Sequence, residues 1–107
     1  MSENTTKIDY RPALERYVKG QLLSHTTMNI KPLVVGDTFN HIVNIGVSIL
    51  ETKFPEIGPG YPGGSFVQAV VDNDLMLAIG KADNINKNYL DFYCSLLYNF
   101  SPHQLEN

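Results

Sequence analysis

A chain of 107 residues makes one domain, and 43% apolar with 18% charged residues suits a folded chain rather than a disordered one. The net charge of −3, with eight scattered Lys and Arg, argues against nucleic-acid binding through a general basic surface. A single cysteine, Cys94, excludes an internal disulfide and fits a reducing compartment; a polar start and no apolar run near twenty residues point away from export and membrane insertion, so the cytoplasm is expected.

Residues 1–7 are polar and are expected to be flexible, as is the tail 103–107. Asp9 is placed to cap a first helix, with Pro12 tolerated in its first turn. Tyr10, Leu14, Tyr17 and Val18 share a face. Gly20 offers a stop, although Leu22 and Leu23 allow the helix to run on. From Ser24 to Gly36 the pattern fades. Thr26, Thr27, Ile30, Val34 and Val35 favour extended structure, and Pro32 interrupts it, so a loop with a short extended piece at 26–35 is expected.

Asp37 or Thr38 opens the second helix. Phe39, Ile42, Val43, Gly46, Ile49, Leu50 and Phe54 follow at spacings of three and four, and Pro55 stops it. A glycine- and proline-rich loop, Gly58 to Gly64, leads to a third helix from about Ser65 to Ala82. Its apolar stripe is Val67, Val70, Val71, Leu75, Ala78, Ile79 and Ala82. Asp83 or Asn84 caps a fourth helix carrying Tyr89, Phe92, Tyr93, Leu96, Leu97 and Phe100, ended by Ser101-Pro102. The expected fold is therefore mainly all-α: about four helices, the last two forming an antiparallel hairpin.

Ser65 reads as an N-cap with Gln68 completing a capping box. The same glycine-rich turn presents backbone amides and the positive end of a helix dipole, the raw material of an anion site. On that reading a phosphorylated ligand is held by Tyr61, Gly63, Gly64 and Ser65, with Lys81 as a cation and Tyr98 as a ring lying off the main stripe. No lysine follows the glycines as in a phosphate-binding loop. Asp74, at the edge of the apolar stripe, needs a partner: an ion pair, a cap, or a place in a pocket. Cys94 reads as a small buried thiol. No catalytic constellation is visible, so no enzyme is expected; His25, His41 and His103 lack metal-ligand spacing, so neither metal nor cofactor is expected. Phe66, Ala69, Asn73 and Leu77 fall off the main stripe of the third helix and are assigned to a homo-oligomer interface.

The run Gly63-Gly64-Ser65-Phe66-Val67-Gln68-Ala69-Val70-Val71-Asp72-Asn73-Asp74-Leu75, then Ala78, Lys81-Ala82-Asp83 and Asn86, resembles a group of small uncharacterised phage and prophage proteins. The resemblance covers about forty residues, from Gly63 to Pro102, and implies a mobile-element origin and a helical hairpin; if the chain is phage-encoded, the expected cytoplasm is the host's. Two functions follow as expectations. One is a non-enzymatic protein that sequesters a phosphorylated small molecule, such as a cyclic nucleotide immune signal, to counter host defence. The other is a protein-interaction module that inhibits or adapts a host or phage protein through an exposed apolar helix face.

Overall fold

Leu14, Val18, Leu22 and Thr26 recur every four residues, and all four are buried. That stripe carries the first helix, α1 (Arg11–Met28), straight through Gly20. The computed structural model describes residues 10–28, 36–57 and 64–102. Residues 26–28, read from sequence as the start of an extended piece, are helical; 29–35 lie outside the described residues, as do both termini. The β-branched Thr26 stays in the helix because its hydroxyl donates to the Leu23 carbonyl at 3.0 Å while its methyl is buried. Burial of a whole face outweighs a propensity difference of a few tenths of a kcal/mol.

Helix α2 (Gly36–Lys53) begins at Gly36, whose φ of +69° lies in the left-handed region that favours glycine. Ile42, Val43, Val47, Ile49 and Leu50 are buried along it. Pro55 ends it as expected, and a 3-10 turn, Pro55–Ile57, tucks Ile57 into the core. Helix α2 packs on α1, α3 (Ser65–Val71) and α6 (Leu90–Asn99), which makes it the central element.

Gly46 explains how closely those helices cross. A Cβ placed there meets Val18 Cγ1 at 2.8 Å and Leu96 Cδ1 at 3.0 Å. The missing side chain lets α1 and α6 reach the α2 backbone.

The stretch read as one third helix is two. Helix α3 ends at Asp72, and α4 (Leu75–Lys81) starts after a three-residue junction. Asn73 takes φ 61°, a left-handed conformation that asparagine tolerates better than most residues. The Asn73 N–H then donates to Val70 O at 3.1 Å, and the Asp74 N–H to Ala69 O at 2.8 Å. This pair of bonds is a Schellman closure with asparagine in the usual glycine place. Asp74 immediately caps the next helix, accepting from the Leu77 N–H at 3.1 Å. The capping role foreseen for Asp74 is correct, but it serves its own chain as a helix start rather than a helix interior.

The fourth helix is also divided, into α5 (Asn84–Asn88) and α6, with Tyr89 at the kink. Asp83 caps α5, accepting from the Asn86 N–H at 2.7 Å. The Asn86 side chain turns inward and accepts a 2.8 Å hydrogen bond from the Tyr93 hydroxyl, tying α5 to α6. Helix α3 packs on both α4 and α6. Among the described residues the fold is all-α, with no strand.

Candidate functional site

Helix α4 carries the most unusual surface. Leu75, Met76, Leu77 and Ile79 are exposed by 54%, 86%, 46% and 44%, while Ala78 alone is buried. Leu75 and Ile79, expected in the core stripe, are therefore on the surface. Phe66 and Ala69, expected at an interface, are in the core; Phe66 packs edge-to-face on Tyr93 at 5.7 Å. Both corrections have one cause. A single helical phase was carried across Asp72–Asp74, where the chain in fact restarts. Of the other two interface residues, Leu77 is half exposed and Asn73 forms the junction.

Between α4 and α6 runs a shallow trough. Ala69, Val70 and Ala78 form its floor; Leu75 stands on one wall, Leu90 and Cys94 on the other. Asn73 and Asp74 also line it. Tyr98 lies one helical turn beyond Cys94 on α6 and is 91% exposed. Cys94 is exposed, not buried as its aromatic neighbours suggested. Its sulfur lies in the wall of the trough, where partial burial, followed by the Asp91 carboxylate, pushes the thiol above its ordinary range. Such a thiol is a poor nucleophile at neutral pH.

Two histidine–aspartate approaches lie between helices on this side of the molecule. His25 Nε2 is 3.4 Å from Asp91 Oδ2, linking α1 to α6, and the imidazole also packs against Phe92. His41 Nε2 on α2 is 3.4 Å from Asp83 Oδ2, the cap of α5, without forming a hydrogen bond to it. A salt bridge, Arg11 to Glu51 at 2.9 Å, joins α1 to α2 around a fully buried carboxylate.

The residues assigned to an anion site are not assembled by these observations. Tyr61 and Gly63 lie outside the described residues. Gly64 is the N-cap of α3, with φ −72° and open space where a Cβ would go, so its backbone needs no glycine. Ser65 is the first helical residue and makes no capping bond; Gln68, rather than closing a capping box, donates to Asp72 at 3.0 Å. Lys81 and Tyr98 are both exposed. Arg11 is engaged by Glu51 and Glu15.

Among the described residues no three His, Cys, Asp or Glu side chains are grouped to hold a metal ion, and no helix is long and apolar enough to cross a membrane. No protein family, curated protein or solved structure matches the chain.

Proposed function

We propose that this chain is a protein-interaction module that receives an apolar helical segment of another protein in the trough between α4 and α6. The observation that carries the reading is the exposure of four large apolar side chains within the seven residues of α4. Together they present on the order of a few hundred Å² of apolar surface, the scale at which a patch marks an interaction site. The shallow trough beside them adds apolar surface from Val70, Leu75 and Leu90, and Tyr98, one turn beyond Cys94 on α6, is a large exposed aromatic of the kind that anchors interfaces. The phage resemblance favours a host or phage protein as the target, inhibited or adapted by occupation of the groove. Sequestration of a phosphorylated ligand draws on the loop before Gly64 and gains no comparable support.

A photoactivatable phenylalanine analogue in place of Tyr98 tests the reading in the cells that carry the protein. The expected result is a covalent adduct with one defined protein, lost when Leu75→Asp puts a charge on the trough wall. No adduct with any other protein, together with a nucleotide retained in native mass spectrometry, rejects the groove in favour of the ligand reading.

A further inference from the structure

We infer that the Asp72–Asp74 junction is a hinge, and that through it two copies of the chain exchange residues 75–102 to form a symmetric dimer. The inference goes beyond the trough reading and does not depend on it.

The junction is short and rests on few bonds. It separates two helices of equal length, α3 (Ser65–Val71) and α4 (Leu75–Lys81), seven residues each. Asn73 holds φ 61°, a region that side chains with a Cβ enter at a cost, and it is the one non-glycine residue to do so among the described residues. The Asn73 and Asp74 amides close α3, and the Asp74 carboxylate opens α4.

The sequence on either side is written for one helix. Val67, Val70, Val71, Leu75, Ala78 and Ile79 keep a single helical phase straight through the junction. Gln68, bonded to Asp72 one turn on, makes a contact that an uninterrupted helix keeps. With Asn73 in the right-handed region, residues 65–82 become one rod whose centre falls at Asn73-Asp74.

The half beyond the junction takes its core from the half before it. Helix α6, which buries Phe92, Tyr93 and Leu96, packs on α1, α2 and α3; α5 packs on α2, and α4 on α3. Tyr17 meets Phe100 edge-on at 5.1 Å and Phe66 meets Tyr93 at 5.7 Å, each pair spanning the junction. A second copy offers the same surface. Straightening the hinge carries α4, α5 and α6 onto the partner subunit's α1, α2 and α3, and the two rods cross at a twofold axis beside the junction. No new complementary face is required, because the contacts outside the hinge are remade between chains. That is why exchange through a short, strained hinge is a low-cost route to a symmetric dimer. Each trough is rebuilt as well, with Ala69 and Val70 from one chain and Leu75, Ala78, Leu90 and Cys94 from the other.

Asn73 and Asp74 set the balance. Both are poor residues for a helix interior and both serve the turn, so the wild-type chain favours the closed form. The covalent link also holds its two halves together at a high effective concentration. Exchange in the wild type therefore belongs to high protein concentration.

The test is refolding of the full chain at about 1 mM, followed by sedimentation equilibrium on dilution. Asn73→Gly suits the left-handed turn and should give the weakest dimer. Asn73→Ala makes the turn costly and the helix favourable, and Asp74→Ala added to it removes the cap. That double variant should dimerise at least about tenfold more tightly than Asn73→Gly. Asn73→Ala alone, which keeps the cap, should move in the same direction. Exchange is read directly on the dimer of Asn73→Ala or of the double variant, refolded from an equal mixture of isotope-labelled and unlabelled chains. Isotope-filtered nuclear Overhauser contacts between Tyr17 and Phe100, and between Phe66 and Tyr93, should run from one chain to the other. Monomers throughout for both alanine variants overturn the inference. So does a dimer whose ring contacts stay within each chain, or one that forms as readily with Asn73→Gly as with Asn73→Ala. None of those outcomes touches the trough, which stands or falls on the adduct at position 98.

Discussion

Helix α2 buries Ile42, Val43, Val47, Ile49 and Leu50 on several sides of its axis, whereas α4 buries Ala78 and leaves Leu75, Met76, Leu77 and Ile79 in solvent. Both are strongly apolar segments. What separates them is their neighbours. Helix α2 meets α1, α3 and α6, with Gly46 drawing two of them against its backbone. Helix α4 is short and leans chiefly on α3. Apolar side chains in the first setting stabilise the fold; in the second they are free to serve recognition.

The sharpest way to break that comparison is truncation in the core. Phe92→Ala should cost about 3–5 kcal/mol, and Leu96→Ala about 2–5 kcal/mol, in denaturant unfolding. Gly46→Val is next. Its methyls enter space already held by Val18, whose β-branched side chain is stiff, and Leu96. A loss of roughly 1–3 kcal/mol is expected, despite glycine's poor helix propensity.

Tyr93 sharpens the contrast through pH. Burial first, then the Asp83 carboxylate and Tyr89, hold its phenolic proton far above the ordinary 10.0. The folded chain therefore keeps a proton that the unfolded chain releases above that value. The stabilisation is fully present below pH about 10 and is lost as pH rises beyond it. Tyr93→Phe should flatten this alkaline decline in the unfolding midpoint. It should also cost about 1–3 kcal/mol at neutral pH by leaving the Asn86 oxygen without its donor.

Smaller effects belong to the α4 side. Asp74→Ala removes a cap and should cost about 0.5–2 kcal/mol. Met76→Gln should change stability by no more than about 0.5 kcal/mol, since the side chain has almost nothing to lose. A large loss there means that Met76 is covered in the folded chain.

The longer elements could be read from apolar spacing because that spacing persisted. Ile42, Val43, Leu50, Phe92, Tyr93 and Leu96 were all placed correctly in the core, and Pro55 and Asp83 marked real boundaries. The extension of α1 was hidden by Gly20 and by Thr26, whose buried position depends on a helix face that only the folded neighbours define. The break at Asn73-Asp74 was hidden for a different reason. It rests on one left-handed residue and one carboxylate–amide bond, neither of which disturbs an apolar pattern counted in threes and fours. That single omission moved Phe66 and Ala69 outward and Leu75 and Ile79 inward. It also concealed the trough, whose walls come from helices that the unbroken reading does not orient.

The junction at Asn73 has a kinetic consequence. Helix α3 is closed and α4 is opened by separate hydrogen bonds, so α4 is able to fray without unwinding α3. With one buried residue to anchor it, its amides should exchange with deuterated solvent through a local opening well below the global unfolding free energy, while those of α2 wait for global unfolding. The amides of Ala78 and Ile79 thereby become a clock. Any molecule that settles on α4 should slow that clock without touching the exchange of α2.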